Sequence, residues 1–240
     1  MRVEPYTVGD FVHVFNRANR GMVLFPDVSD KWHFLKILRF FNDQYIPQNP
    51  SRQLDYLLKS GRMSRHFEWP KDWPPHRPLV KILSYRLRDT HFHLLLKEII
   101  KGGISKFMQR LGDAITKYIN KKYNQRGRIF QSAYRGKTVG KDVRILQYLD
   151  AYIQVFNAFE DYPGGIERAL KEFDKAFKFA LRDPFSSLGE SFGKRNLGIV
   201  DRDVLREIFP SLKIYKEFTY DALLVRNIRE ILGKLIIEEH

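Results

Sequence analysis

Two histidines separated by one large apolar residue, His91-Phe92-His93, open the run His91 to Leu96 and are the clearest candidates for chemistry in this chain. Side chains on an extended strand alternate faces, so both imidazoles project from one side and can share a divalent cation. Further along, Tyr152 lies within Ala151-Tyr152-Ile153-Gln154-Val155-Phe156-Asn157. A phenol oxygen brought to a phosphate that such a cation polarises is a nucleophile for phosphoryl transfer, which points to metal-assisted strand transfer on nucleic acid. The spacing of the histidines alone is more often structural than metal-binding, and tyrosine is common here. The surrounding elements must therefore be consulted.

The histidines need a strand and the tyrosine a helix beside it. Residues 11–16 read as a first strand and 29–42 as a helix with an apolar stripe at Trp32, Leu35, Leu38 and Phe41, capped near Ser29. The stretch from about 44 to 78 carries Pro47, Pro50, Pro70, Pro74, Pro75 and Pro78, with a helical patch around 54–58, and reads as a surface insertion. Residues 79–85 and 92–96 are β-compatible runs joined by a polar turn, so an antiparallel pair is expected with the histidines at the start of its second strand. Gly102-Gly103 then breaks the chain ahead of a helix to about Tyr123, its apolar face made by Ile104, Phe107, Met108, Leu111 and Ile115. Residues 129–139 read as a strand or extended loop. Asp142 caps the helix that holds Tyr152, and Tyr162-Pro163-Gly164-Gly165 ends it. Three further helical segments are expected at about 166–182, 201–209 and 214–237.

The chain has 240 residues, enough for one good core, alone or with a smaller appendage. With 42 Lys and Arg against 28 Asp and Glu, its net charge of +14 favours a polyanionic partner, nucleic acid before membrane. No apolar run is long enough for a membrane span, and the opening Met1-Arg2-Val3-Glu4-Pro5 does not lead into a signal-peptide core, so a cytoplasmic protein is expected. Cysteine is absent, which excludes disulfides, zinc-thiolate and iron-sulfur sites and cysteine nucleophiles. Any metal must use histidine, carboxylate, amide or phenolate.

Five ordered stretches carry a family resemblance: Phe11-Val12-His13-Val14-Phe15-Asn16-Arg17, His91-Phe92-His93-Leu94-Leu95-Leu96, Gly103-Ile104-Ser105-Lys106-Phe107-Met108-Gln109, Tyr118-Ile119-Asn120-Lys121-Lys122-Tyr123 and Gly127-Arg128-Ile129-Phe130-Gln131, leading into the Tyr152 helix. In this order they resemble the single-tyrosine transposases of the HUH superfamily, particularly the REP-associated tyrosine transposase branch of the IS200-like transposases. The resemblance spans about residues 8–160, and Pro184-Phe185-Ser186-Ser187 with Gly193-Lys194-Arg195 resembles the family's C-terminal extension. It implies an α+β fold, a ferredoxin-like antiparallel sheet with helices on one face, as a catalytic domain at 1–160 and a helical extension at 161–240.

The activity it implies is cleavage and rejoining of single-stranded DNA beside a hairpin. Tyrosine oxygen attacks phosphorus, leaving a 5′-phosphotyrosine link and a free 3′-hydroxyl. Tyr152 takes the nucleophile's place, and His91 and His93 hold a divalent ion, Mg²⁺ or Mn²⁺. A catalytically silent, domesticated single-stranded or hairpin DNA-binding protein is the alternative. Many relatives carry an amide four residues after the tyrosine as a third ligand, but that position here is Phe156. Gln154 and Asn157 are the nearby amides, and in a regular helix they lie about 160° and about 140° round from Tyr152. A local distortion could bring either to the metal; otherwise water takes the place. Arg88-Asp89-Thr90 also departs from the tripeptide usual before the histidines.

His13 reads as a packed or hydrogen-bonded histidine before a ligand, and Tyr148, one turn before Tyr152, as a competing nucleophile. Lys117, Lys121, Arg126, Arg128, Arg135 and Lys137 interleave with Phe130 and Tyr134 as a track for single-stranded DNA, cations holding phosphates and aromatic faces stacking bases; a solvated basic hairpin is the alternative. Tyr118 and Tyr123 read as packing or stacking residues, and Lys194 and Arg195 as further phosphate contacts. The resemblance implies a tyrosine acting within its own subunit, so a monomer is favoured over a dimer.

Overall fold

A computed structural model describes residues 6–19, 22–61, 69–139, 142–225 and 228–236. The opening Met1 to Pro5, part of the proline-rich insertion and the end of the last expected helix lie outside the described residues. Four strands, β1 (Phe11–Arg17), β2 (Val80–Leu87), β3 (His91–Glu98) and β4 (Arg135–Thr138), form an antiparallel sheet in the order β2-β3-β1-β4. With α1 (Val28–Phe41) after β1 and α3 (Gly103–Lys122) after β3, this is the ferredoxin-like βαββαβ order, and the α+β expectation holds. Among the described residues the insertion adds α2 (Pro50–Lys59), longer than the patch expected, with Pro50 in its first turn.

Pleating divides the sheet into two unlike faces. Val12 and Val14 of β1, Phe92, Leu94 and Leu96 of β3, and Tyr85 and Leu87 of β2 enter one core with α1 and α3. His13, Phe15 and Arg17 pair with Leu95, His93 and His91 on the other face. In β2 the pairing slips between Ile82 and Ser84. This bulge lets Val80 and Ile82 share the first core with Tyr85 and Leu87, while Leu83 turns to the second face and Arg86 pairs with His93.

The α1 cap is Asp27, two residues before the expected Ser29, because the Ser29 N–H is itself the group that Asp27 accepts from. Asp30 closes the capping box and, fully buried, also accepts from Tyr118 Oη (2.9 Å), Tyr123 Oη (2.7 Å) and Lys122 Nζ (2.5 Å). Burial raises its pKa, but Lys122 and the two hydroxyls more than offset this and hold it below the ordinary value. Tyr118 and Tyr123 thus tie the end of α3 to the start of α1. At the other end of α3, Glu98 accepts from the N–H groups of Gly102 (2.7 Å) and Ile104 (2.8 Å). Gly103 has to be glycine, since a Cβ there would meet the Leu79 carbonyl oxygen at 2.3 Å.

The second face is covered too. The helix capped by Asp142 runs as α4 (Val143–Ala151), a π-helical turn (Tyr152–Phe156) and α5 (Asn157–Glu160). Beyond it come α6 (Gly165–Lys171), α7 (Phe173–Arg182), α8 (Leu188–Ser191), α9 (Leu205–Ile208), α10 (Leu212–Tyr220) and α11 (Ile228–Leu232). Leu83 and Leu95 share one core with side chains of α4 to α11, so residues on both sides of position 160 pack together. The expected helix at 166–182 breaks at Glu172, which accepts from Tyr162 Oη (3.0 Å). The one expected at 201–209 shrinks to α9 because Asp203 adopts φ +44° while its carboxylate takes Lys81 (2.9 Å) and Lys97 (3.0 Å). Around 129–139, Phe130 makes an isolated bridge to Ala18 and regular pairing starts only at Arg135. The outer edge of β2 is sealed by 185–187: Leu87 N–H donates to the Phe185 carbonyl and Ser187 N–H to the Tyr85 carbonyl.

Asn42, just past α1, accepts from the N–H groups of Leu79 and Val80 (both 3.0 Å) and donates to the Val80 carbonyl (2.9 Å). Asn42→Ala strands three buried backbone groups and is expected to cost about 2–4 kcal/mol in urea unfolding. A loss under about 1 kcal/mol would mean this clamp does not hold β2 to α1.

Candidate active site

β3 presents His91 and His93 on the second face, their ring centroids 5.0 Å apart and nearly perpendicular. The Tyr152 ring meets His93 edge-on at 5.9 Å and stacks on Phe156 at 5.4 Å. Strand alternation thus brings the two histidines together as expected, and the helix from Asp142 sets the tyrosine beside them. All three are buried, Tyr152 being 4% exposed.

His13, one strand away, belongs to the same cluster. Its Nε2 lies 3.0 Å from His93 Nδ1 and its Nδ1 2.5 Å from the Leu235 carbonyl oxygen. His91 Nδ1 is 2.9 Å from Thr90 Oγ1. His93 Nε2 is buried and has no hydrogen-bond partner among the described residues. Burial pushes His13 down to about 4, while burial and then the nearby arginines Arg88, Arg17 and Arg86 take His91 to about 3. His93 is lowered well below its ordinary value, first by burial and then by the neighbouring histidines. The rings are therefore neutral, the form in which imidazole ligates metals.

The two amides differ in what they leave open. Gln154 Nε2 donates to Asp150 (2.7 Å) and Tyr215 Oη (3.3 Å), and its Oε1 accepts from Ser187 (2.9 Å) and Ser191 (3.2 Å). Its amide is thus committed to joining the tyrosine helix to α8 and α10. Asn157 gives both its backbone N–H and Nδ2 (2.8 Å) to the Tyr152 carbonyl. The π-helical turn closes i to i+5, so Asn157 sits one turn on from Tyr152, where a regular helix would carry Phe156. Among the described residues no three His, Cys, Asp or Glu side chains gather as a metal cluster. Tyr148 packs its ring on Phe218 (5.2 Å).

The basic and aromatic residues do not form one track. Lys117 and Lys121 line an open groove between α1, α2 and α3, with His33 stacked on Tyr118, on the other side of the sheet from the histidines. Lys121 also pairs with Asp55 (3.3 Å). Arg126 and Arg128 are exposed in the turn after α3. Phe130 packs on Phe92 and Tyr134 lies against the first core, while Arg135 and Lys137, both exposed, pair with Phe15 and His13 on the histidine face. Lys194 is exposed, but Arg195 donates to the Ser186 (2.7 Å) and Arg182 (3.2 Å) carbonyls, a structural role in place of the phosphate contact expected.

Sequence reasoning missed the arginines of the site. Arg17 stands opposite His91 in the β1–β3 register. Arg86, 3% exposed, pairs with Asp161 (2.7 Å) and Asp183, and Arg88 with Asp161 (3.0 Å) and Glu160. Arg229 reaches Glu160 (2.6 Å) and lies over the Phe156 ring (4.8 Å). Only the register and the β2 bulge reveal these neighbours, and neither is written in the spacing of charged residues.

Residues 76–155, about a third of the chain, match the family model described as "Transposase IS200 like". This is the family that the ordered motifs resemble. Among solved structures, one described as a REP-associated tyrosine transposase bound to a REP hairpin aligns over 88% of this chain and 87% of its own, at 14% identity and a TM-score of 0.46. No curated protein matches the chain. No helix among the described residues is long and apolar enough to cross a membrane.

Burial also pushes His33 and His76 down to about 4, so five histidines are held neutral. In the unfolded chain they take up protons near pH 6.5, so below that value the unfolded state binds more protons and stability falls as pH drops toward about 4. Asp150, raised to about 6, opposes this, as do Asp43 and Glu190, also raised, but they are fewer. The slope approaches about 1.4 kcal/mol per pH unit for each histidine. Urea midpoints should fall steeply between pH 6.5 and 4.5 if this is right; a flat profile would contradict buried neutral imidazoles.

Proposed function

With residues 76–155 matched by the IS200-like transposase model, we propose that the protein cuts and rejoins single-stranded DNA beside a hairpin, using Tyr152 as nucleophile and a divalent cation held by His91 and His93. The observation that carries this reading is the meeting of Tyr152 with the edge of His93, on the face that also holds His91. The donor set fits a cation: both imidazoles are neutral and His93 Nε2 has no partner among the described residues. Bound there, the cation supplies positive charge that polarises the phosphate and steadies the oxygens gaining charge. Mn²⁺ suits imidazole ligands better than Mg²⁺, which prefers oxygen. Gln154 Oε1 is taken by Ser187 and Ser191. Asn157, one π-helical turn on from Tyr152, gives only the Nδ2 of its amide to the Tyr152 carbonyl, so its Oδ1 is the protein donor for a third position and water and phosphate oxygens fill the others.

The rest falls to the chain's own side chains. Tyr152 Oη forms a bond to phosphorus as the bond to the 3′-oxygen breaks; the phenol loses its proton and the departing oxygen gains one. Attack by another 3′-hydroxyl reverses the step and frees the tyrosine. Phe156 and His93 hold the ring, restricting the directions from which its oxygen meets phosphorus. Arg17 beside His91 supplies a cation for phosphate, and Arg135 and Lys137 extend positive charge along the same face. Residues 161–240 act as an extension that covers this face, and since one chain supplies tyrosine and histidines a monomer suffices.

The slight exposure of Tyr152 favours a second reading, a hairpin-binding protein that keeps the fold and makes no cut. Incubation with hairpin-bearing single strands and Mn²⁺ separates the two. Tyr152→Phe is expected to abolish the denaturation-resistant DNA adduct while hairpin affinity changes less than about threefold, and His91→Ala to reduce adduct at least about a hundredfold. Adduct from Tyr152→Phe but not from Tyr148→Phe would move the nucleophile by one turn. Binding without adduct in the unmodified protein would leave the binding-only reading.

Charge reversal at Arg135 and Lys137 should weaken single-strand binding and lower its salt slope by about one per lost phosphate contact. Reversal at Lys117 and Lys121, across the sheet, should do less. The opposite order would put the DNA in the groove between α1, α2 and α3.

A further inference from the structure

Three buried ring nitrogens and one carbonyl form a directed chain. The Leu235 carbonyl can only accept, so at 2.5 Å His13 Nδ1 must carry the hydrogen. An uncharged ring with its hydrogen on Nδ1 offers only a lone pair at Nε2. His93 Nδ1, 3.0 Å away, must then donate to it. That leaves His93 with its own lone pair on Nε2, the nitrogen that no group among the described residues satisfies although the ring is wholly buried. The two rings are 14° from parallel with their centroids 5.2 Å apart, which agrees with a hydrogen bond lying in both ring planes. A buried acceptor left orphaned is costly and is seldom kept without use.

We propose that His13 is a positioning residue: held by the Leu235 carbonyl, it sets the tautomer and orientation of His93 so that Nε2 is the nitrogen offered to a cation. The cation rests on the function proposed above; the chain of hydrogen bonds does not. Ligating histidines commonly donate their other ring N–H to such a partner, and losing it typically weakens metal binding about 10- to 100-fold. Leu235 follows α11, whose Arg229 is tied to Glu160 and to the Phe156 ring, so the extension supplies the fixed end of the chain. Leu235 thereby reaches β1, and through His13 the histidine pair.

The test uses the full-length protein labelled with ¹⁵N-histidine. Long-range ¹H–¹⁵N spectra recorded without metal should show His13 and His93 each with hydrogen on Nδ1, and Mn²⁺ should broaden the His93 signals first at Nε2. His13→Phe keeps a ring but no acceptor; it should mix the His93 tautomers and weaken Mn²⁺ binding, read by electron paramagnetic resonance, about 10- to 100-fold. His13→Gln, whose amide can accept from His93 and donate to Leu235, should restore both. The wild-type spectrum decides the tautomer even if His13→Phe fails to fold. Hydrogen on Nε2 of His93 in the wild type, or His13→Phe with unchanged tautomer and affinity, would overturn the proposal. The expected tautomers with no response to Mn²⁺ would support the lock and sink the metal reading instead.

Discussion

The pleat of β3 sends Phe92, Leu94 and Leu96 into one core and His91, His93 and Leu95 to the opposite face, and every other part of the molecule answers to that division. The first face needs only apolar burial, which α1 and α3 supply. The second is harder to cover, because it presents imidazoles and arginines. A helix laid on it must match polar groups as well as exclude water, and an unmatched group costs as much as a lost hydrogen bond. Pairing to β1 adds His13 and Arg17 to that face, and the β2 bulge adds Arg86.

Residues beyond 160 supply most of the matching. Arg86 is buried between Asp161 and Asp183, and Arg88 reaches Glu160 and Asp161. Buried ion pairs of this kind add little net stability, since desolvation offsets attraction, yet removing one partner leaves a costly stranded charge. They therefore fix where the segment sits more than how firmly it holds. Gln154 does the same at the centre, joining Asp150, Tyr215, Ser187 and Ser191 across three parts of the chain. Asp150, its carboxyl pushed up to about 6 by burial, accepts from Gln154 Nε2. The extension is thereby built into the sheet's second face and into the edge of β2.

The π-helical turn resolves the phase of the tyrosine helix. A regular helix would place Phe156 one turn beyond Tyr152 and swing Asn157 to another side. The extra residue brings Asn157 to the turn below Tyr152, where it secures the tyrosine carbonyl, while Phe156 still stacks on the ring. Turns of this kind recur at functional positions because the wider ring shifts one side chain's direction without ending the helix.

Much was legible in the residues themselves. Alternation in His91-Phe92-His93, the stripe from Ile104 to Ile115 and the Asp142 cap each report a local period or a local hydrogen bond, so the strand, helix α3 and the start of the tyrosine helix could be read directly. The ordered motifs named the family that the model match at 76–155 also names. Tertiary structure decided the rest. Which residue stands opposite His91, whether β2 slips by one, and where the Gln154 amide finds partners depend on segments far apart in sequence, so no local pattern encodes them. His13 shows the difference most plainly. Its type and strand suggested a packed or hydrogen-bonded histidine, whereas its link to His93 exists only because β1, β3 and Leu235 converge in one dry space, where the Leu235 carbonyl and His93 give both His13 ring nitrogens a partner.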